Sequence, residues 1–171
     1  MRLEELLKKG ELSTSEASEM LYLIKTERKD DEKKIELYNH AIHQASKYGI
    51  ELLYKIYKDT ETYGLDEEEK KLLQGNVTFY IGKQDNMTPE NIQQMLYFVR
   101  TERKDDEKKI ELYNHAIHQA SKFGIELLYK IYKDIETYGL NEEEKKLLQG
   151  NIEFYISEQE RNNVEQNKRH R

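Results

Sequence analysis

The chain has 171 residues, of which 36% are hydrophobic and 36% are charged, and its formal net charge is −6. The charged share exceeds the roughly 25% of an average domain and argues against one large core, whereas thirteen tyrosines and four phenylalanines argue against a disordered chain. One proline and eight glycines are too few for the turns of a β-sandwich or barrel. The composition therefore predicts an all-α protein.

The composition also bears on the cellular compartment. The chain contains no cysteine, which excludes disulfides and thiolate metal ligands and suits a reducing environment. Residues 1–10 lack the apolar core of a signal peptide, and no stretch approaches the roughly 18 apolar residues of a membrane span. We therefore expect a cytoplasmic protein with no membrane contact. Heavy use of Lys, Glu, Asn, Ile and Tyr is typical of AT-rich genomes and points to a low-GC bacterium, its phages or other mobile elements.

The sequence contains a long internal repeat. Residues 26–85 return at 101–160 with an offset of 75, and 52 of the 60 aligned positions are identical. The preceding stretches, 11–25 and 86–100, keep the offset but share only three residues. A recent tandem duplication and a need for two equal surfaces both explain this repeat. The predicted organisation is an N-terminal helical extension at 1–10, two helical units at 11–85 and 86–160, and a disordered polar and basic tail at 161–171.

Each unit begins with a predicted helix. Ser13 and Glu16 have the spacing of a capping box, and Thr88 precedes a proline at the first helical position of the second unit. A second helix is predicted to start at Asp30 or Asp31, because acidic residues favour a first turn. The apolar residues of the first helix recur at helical spacing, at Ala17, Met20, Leu21 and Ile24, and again at Ile92, Met95, Leu96 and Val99.

The second helix carries a heptad-like apolar seam that passes through Gly49. One interpretation is a single long helix over about 31–62, and the other is a break at Gly49. A break divides each unit into two helix-turn-helix pairs of about 37 residues, near the period of helical solenoids, although the tetratricopeptide consensus residues are absent. Each unit is therefore predicted to be a small antiparallel bundle or a short helical-repeat array. The seam consists of Ile35, Tyr38, Ile42, Ala45, Gly49, Leu52 and Ile56.

A final helix closes each unit. Gly64 is predicted to stop the preceding helix, and Asp66 to cap the next one, whose first turn is acidic. The stretch 77–81 is β-prone and is the place where a short strand competes with this helix. The residues expected to face the core are Leu72, Leu73, Val77, Tyr80 and Ile81.

One cluster has the residue types of a metal site. Glu36, His40 and His43 lie on one helical face, and the repeat places Glu111, His115 and His118 in the same arrangement. This face is opposite Tyr38, Ile42 and Ala45, so its side chains are expected to be solvated rather than directed at an enclosed metal. We therefore predict no metal and no cofactor.

Neither catalysis nor direct nucleic-acid binding is expected. The sequence contains no nucleophile elbow, phosphate-binding glycine loop or dinucleotide fingerprint, and the acidic clusters fall in first helical turns, where they cap helices. Each unit carries a net charge of −5, and the basic residues cluster only at 168–171. The chain is therefore predicted not to be an enzyme and not to bind nucleic acid directly.

The apolar arc of the long helical segment is wider than one core requires. A helix that backs a single core needs a stripe of about 100°, whereas apolar and aromatic residues here cover well over half the circumference. Tyrosines provide large, rigid contact surfaces with a polar tip, so the flanks of this arc are predicted to contact a partner or the sister unit. These flanking residues are Leu37, Ile50, Tyr54 and Tyr57, with Leu112, Ile125, Tyr129 and Tyr132 in the second unit.

The functional hypothesis is a non-enzymatic, protein-binding regulator, adaptor or inhibitor. Two equal surfaces on one chain suit a partner that is itself two-fold symmetric, because the second contact forms at high effective concentration. Self-association through the same surfaces is the related possibility. Two alternatives are a helical sensor for a small ligand or metal, and an acidic inhibitor that mimics nucleic acid.

Overall fold

The structure is a computed structural model that describes residues 1–169, with side chains through residue 165. Throughout this range the chain is helical and contains no strand, so the all-α prediction is confirmed. Three single 3-10 turns, at Ser46–Tyr48, Thr60–Thr62 and Ile135–Thr137, follow helices. The helices are α1 (Arg2–Lys8), α2 (Thr14–Glu27), α3 (Lys34–Ala45), α4 (Ile50–Asp59), α5 (Glu67–Ile81), α6 (Pro89–Glu102), α7 (Lys109–Ala120), α8 (Ile125–Asp134) and α9 (Glu142–Arg169).

The chain divides into two compact units, Met1–Gln84 and Asp85–Arg171. In the first unit, α2 packs against α3 and α4 packs against α5. Near the turn between α4 and α5, Lys70 lies 3.2 Å from the Glu61 carboxylate, and the Gln74 amide donates to the Thr60 hydroxyl at 3.1 Å. Because the end of α4 meets the start of α5, these two helices form an antiparallel hairpin.

Helices α3 and α5 also pack against each other, and they run parallel. Lys34 lies 3.6 Å from Glu69, and further along both helices the Asn76 amide donates to the Asn39 carbonyl oxygen at 2.8 Å. The second contact lies further toward the C-terminus than the first on both helices, which occurs only when neighbouring helices run parallel. The second unit has the same contacts, between Lys109 and Glu144 at 3.5 Å and between Asn114 and Asn151 at 2.9 Å.

The structure contradicts the single long helix over 31–62. Gly49 has φ 101° and ψ 177°, on the left-handed side where a Cβ is strained, and the chain changes direction there after a 3-10 turn. Gly124 adopts φ 116° at the equivalent break. The seam is therefore interrupted at Gly49. In α4, Leu53 is buried in place of Leu52, which is half-buried, whereas Ile56 is buried as predicted.

The predicted helix starts at Ser13, Asp66 and Thr88 are confirmed. Ser13 and Asp66 both form capping boxes, and the Thr88 hydroxyl accepts the Asn91 N–H at 3.1 Å. The predicted start at Asp30 or Asp31 is wrong, since α3 begins at Lys34. The Asp31 carboxylate is held in a preceding turn, where it accepts the Lys33 N–H at 2.8 Å.

Three expectations about the last helix of each unit need correction. The β-prone stretch 77–81 is helical, because Leu73, Val77 and Ile81 recur every four residues and are buried together. Leu72 was expected in the core but is 59% exposed, since it is one position away from that stripe. In the second unit α9 continues through residues 161–169, which were expected to be disordered. This stretch contains no glycine or proline to end a helix, and its residues 161–165 are exposed.

Helix α1 belongs to the first unit and covers part of α2. Leu3 and Leu6 are fully buried, and Arg2 donates to the Glu19 carboxylate at 3.0 Å. A second ion pair joins Arg28 to Glu4 at 2.7 Å. The N-terminal extension is therefore attached by both apolar packing and charge.

A buried glutamine orders the N-terminal segment of each unit. Gln44 on α3 accepts the Leu12 N–H at 3.0 Å and donates to the Gly10 carbonyl at 3.3 Å. Gln119 accepts the Met87 N–H at 3.3 Å in the same manner. Because these bonds satisfy a buried amide, they hold the start of α2 and of α6 beside the end of the following helix.

Candidate binding clefts

The predicted histidine cluster connects two helices instead of forming a metal site. His43 Nδ1 lies 2.9 Å from the Tyr80 hydroxyl, and the two rings approach at 5.5 Å between centroids. His118 and Tyr155 repeat the contact at 2.9 Å in the second unit. Among the described residues no group of three or more His, Asp or Glu side chains is arranged to hold a metal ion.

The acidic first turns serve as helix caps. The Asp66 side chain accepts the Glu69 N–H at 2.8 Å, and the Glu69 carboxylate accepts the Asp66 N–H at 3.1 Å. The pKa of Asp31 is lowered by the hydrogen bond from the Lys33 N–H and by that from Arg28. These carboxylates are therefore occupied with backbone and ion-pair contacts and do not face a common cleft.

The structure places the predicted partner-binding residues in different environments. Leu37, Tyr54, Ile125 and Tyr132 are half-buried, Ile50, Tyr57 and Leu112 are buried, and Tyr129 is 47% exposed. Lys58 lies over the Tyr54 ring at 4.7 Å. These eight residues do not form one continuous open surface within either unit, and the prediction that they contact a partner remains a prediction.

Two of them, Tyr129 and Tyr132, line a cleft of about 370 Å³ between α8 and α9. The Tyr132 hydroxyl donates to the Glu153 carboxylate at 3.1 Å, and this bond raises the pKa of Tyr132. The equivalent of Glu153 in the first unit is Thr78, which is buried and donates to the Gln74 carbonyl. The change from a buried threonine to Glu153 therefore places a carboxylate in the cleft between α8 and α9 of the second unit.

A different cleft recurs in both units, between the first helix and the third. In the first unit it lies between α2 and α4 and has a volume of about 350 Å³. Its counterpart lies between α6 and α8 and has a volume of about 250 Å³. The positions common to both clefts, each 75 residues apart, are Ser18 and Gln93, Leu21 and Leu96, Tyr22 and Tyr97, Lys25 and Arg100, Lys55 and Lys130, Asp59 and Asp134, and Tyr63 and Tyr138.

The floor of the first cleft is apolar and its rim is polar. Leu21, Ile56 and Tyr63 line it and are almost fully buried, so they belong to the core as well. Tyr22 stands at the rim and is 63% exposed. Its counterpart Tyr97 is 49% exposed. An apolar floor with convergent polar groups is the usual composition of a binding cleft.

One cation of each cleft, Lys25 in the first and Arg100 in the second, has no carboxylate partner among the described residues. Lys25 Nζ donates to the Thr62 hydroxyl at 3.4 Å, and Arg100 Nη1 donates to the Thr137 hydroxyl at 3.2 Å. Within the part of the chain that the structure describes, neither Lys25 nor Arg100 forms an ion pair. Arg100 also lies over the Tyr97 ring, 5.4 Å from its centroid. Each cleft therefore presents an unneutralised cation beside an exposed tyrosine.

Sequence reasoning missed these clefts, although a signal was present. In the weakly similar stretches 11–25 and 86–100, the three shared residues include Leu21 and Tyr22, and the cation at position 25 is an arginine in the second copy. Tyr22 and Tyr97 are both exposed and both line the clefts, so they are not accounted for by the core.

Comparison with protein-family models, with curated proteins and with solved structures finds no match to this chain. The helices of the described residues include none with the length and apolar character needed to span a bilayer. The side chains of the basic cluster at 168–171 lie outside the described residues.

Proposed function

We propose that the chain is a non-enzymatic, protein-binding regulator, adaptor or inhibitor that consists of two tandem copies of one helical unit. The observation that carries the proposal is the recurrence of one cleft in both units, with the same tyrosine and a cation at equivalent positions. The two clefts consist of an apolar floor, an aromatic rim and hydrogen-bond donors, which bind side chains of another protein well.

Each unit is best described as a short helical-repeat array. Hydrogen bonds across the parallel helices join residues 37 positions apart, at Asn39 and Asn76, at His43 and Tyr80, and also at Lys25 and Thr62. A constant offset arises when successive helical hairpins stack in register, as they do in solenoid repeats. Such arrays commonly use their grooves for protein recognition. The second unit repeats all three bonds, at Asn114 and Asn151, His118 and Tyr155, and Arg100 and Thr137.

Two clefts on one chain support bivalent binding. If one partner engages both clefts, or a two-fold symmetric partner offers one site to each, the second contact is intramolecular and strengthens the complex. A cytoplasmic bacterial or phage regulator that must hold a dimeric target fits this arrangement. A protein that mimics nucleic acid requires a surface of carboxylates at its binding face. The clefts carry lysine and arginine side chains, so they favour protein binding over that alternative.

A charge-reversal comparison tests the proposal. Tagged full-length protein serves as bait in an extract of its host, beside a variant with Lys25→Glu and Arg100→Glu. The control carries Lys71→Glu and Lys146→Glu, which make the same charge change at exposed positions on α5 and α9. We expect the wild type and the control to recover the same stoichiometric protein and the cleft variant to lose it. Equal recovery by all three baits would place the partner surface elsewhere, and recovery of no protein by the wild type would reject the proposed function.

A further inference from the structure

We propose that each cleft accommodates an acidic peptide segment of the partner, in which one apolar side chain is flanked by carboxylates. This inference rests on the proposed function and specifies the chemistry of its partner. The apolar side chain would contact the floor, at Leu21 and Ile56 in the first cleft and at Leu96 in the second, and the carboxylates would pair with the cations at the rim.

Charge favours an acidic occupant. The chain as a whole has a net charge of −6, so an acidic occupant has to be attracted by a local cluster of cations. The cations of the cleft are available: Lys25 and Lys55 form no ion pair among the described residues. A neighbouring cleft of about 400 Å³ is lined by both Lys25 and Lys29, so a further cation lies near Lys25. Asp59 lies one helical turn after Lys55, and in the second unit the matching pair, Lys130 and Asp134, is 3.7 Å apart. The aspartate therefore offsets only one of the cations.

Size favours a side chain over an enclosed small molecule. Clefts of about 350 and 250 Å³ lie at or below the lower end of the roughly 300–1,000 Å³ of ligand pockets. They hold one anchoring side chain and its neighbours. The exposed rings of Tyr22 and Tyr97 supply rigid contact area beside that anchor.

A second observation points to a ligand with hydrogen-bond acceptors. Gln93 lines the cleft of the second unit, and its Nε2 donor is buried with no hydrogen-bond partner in the part of the chain that the structure describes. Buried donors are normally satisfied, and leaving one unpaired costs about 1–3 kcal/mol. The amide has to turn into the cleft to meet an acceptor, because its Nε2 is closed off from solvent as it stands, and a carboxylate or backbone carbonyl of a bound peptide would supply that acceptor. Ser18 offers a hydroxyl at the same position in the first unit.

The rim disfavours a phosphate more than a carboxylate. Lys25 lies in the last turn of α2, and Thr62 follows the end of α4, so the carbonyl ends of both helices meet at this end of the cleft. Carbonyl ends of helices disfavour anions, and a doubly charged phosphate more than a singly charged carboxylate, so binding depends on the side-chain cations. These cations are separate lysines in the first cleft and one arginine with one lysine in the second, rather than an arginine cluster of the kind that binds phosphate.

Selection of peptides tests the inference. A phage-displayed random peptide library is selected on the full-length protein, and the enriched peptides are synthesised and titrated by calorimetry. We expect enriched peptides that carry Asp or Glu around one apolar residue, that bind two per chain, and that bind at least tenfold more weakly when their acids are replaced by the amides. Higher salt should weaken binding, because the rim is exposed.

Variants of the protein assign the binding to the clefts. Lys25→Glu alone and Arg100→Glu alone should each reduce the stoichiometry from two peptides to one, and the pair with Lys71→Glu and Lys146→Glu should change nothing. Lys25→Gln and Arg100→Gln repeat the test without charge reversal, and circular dichroism verifies the fold of each variant. Enrichment of basic or neutral peptides, absence of enrichment, or competition by inorganic phosphate at equal strength would overturn the inference. These results would leave the proposed function standing if the extract still yields a partner that depends on the clefts.

Discussion

The phenol rings of Tyr38 and Tyr63 stack with their centroids 4.5 Å apart and their planes 4° from parallel. The stack joins α3 to the turn that follows α4, and Tyr63 also lines the candidate cleft. Tyr113 and Tyr138 repeat it in the second unit at 4.7 Å and 1°. Stacked aromatic pairs of this kind contribute about 0.5–1.5 kcal/mol beyond their buried area. The core and the cleft of each unit therefore share an aromatic pair.

These stacks predict sensitivity to alkaline pH. Burial raises the pKa of Tyr38 from 10.0 to about 12, and it raises the pKa values of Tyr63, Tyr113 and Tyr138 still further. The unfolded chain loses these protons first, so stability is complete below pH 10 and is lost as the pH rises through 12. Urea unfolding measured at several pH values, with tyrosinate absorbance, checks this. Tyr38→Phe should reduce the dependence, and a constant midpoint between pH 10 and 12 would contradict it.

The first unit should lose stability in acid through Glu16. Hydrogen bonds from Lys9 and from the Ser13 N–H lower the pKa of Glu16 from 4.5 to about 2. A lowered pKa stabilises the folded state above pH 4.5, and this stabilisation disappears as the pH falls toward 2. Glu16→Gln should flatten the acid dependence of unfolding. In the second unit Asn91 occupies the equivalent position, so the part of the acid loss that Glu16→Gln removes should appear in amides of residues 1–84 by hydrogen exchange.

A charge in the core of either unit should unfold that unit. Ile42 and Ile117 are fully buried on α3 and α7. Ile42→Asp and Ile117→Asp each place an unpaired carboxylate in an apolar site, at a cost of several kcal/mol. Thermal unfolding and hydrogen exchange report which unit is lost. Lys47→Asp, at an exposed position nearby, is the control and should leave the transition nearly unchanged.

Replacing glycine by alanine should lower the free energy of unfolding at one kind of position and raise it at another. Gly49→Ala places a side chain at φ 101° and should destabilise the chain by about 1–2 kcal/mol. Gly75→Ala lies within α5 with nothing within 4 Å of the new Cβ, so it should stabilise the chain by about 0.5–1 kcal/mol. The midpoint of chemical unfolding measures both changes. If Gly49→Ala is neutral, the helix passes continuously through that residue in solution.

The two candidate surfaces can be separated by tyrosine substitution. Tyr54→Ala with Tyr129→Ala removes rings from the flanks of α4 and α8, whereas Tyr22→Ala with Tyr97→Ala removes rings from the clefts. If the clefts bind the partner, the second pair should weaken binding by more than 1 kcal/mol and the first pair should have a smaller effect. Binding of the recovered partner by calorimetry, with helicity as a control, measures this. A loss that is confined to the first pair would return the interface to the flanks of the apolar arc.

Local chemistry made several elements predictable from the sequence. Ser13, Asp66 and Thr88 cap helices through bonds to N–H groups three residues away, so the sequence spacing contains the whole interaction. Gly49 was ambiguous for the same reason, because the apolar period favoured continuity while the residue favoured a break. The tertiary structure resolves the conflict in favour of a break, because the positive φ of Gly49 separates α3 from α4 and allows both helices to pack against α5.

The sequence by itself determined the helical class and the caps at Ser13, Asp66 and Thr88, because these depend on neighbours within one or two turns. The repeat is visible in the sequence directly. Only the tertiary structure decided that α3 and α5 are parallel, that Gln44 is buried against Leu12, and that Lys25 meets Thr62 across a cleft. Each of these contacts joins residues more than 30 positions apart, and no local pattern encodes them. They form because packing two hairpins side by side buries apolar faces that a single hairpin leaves in water.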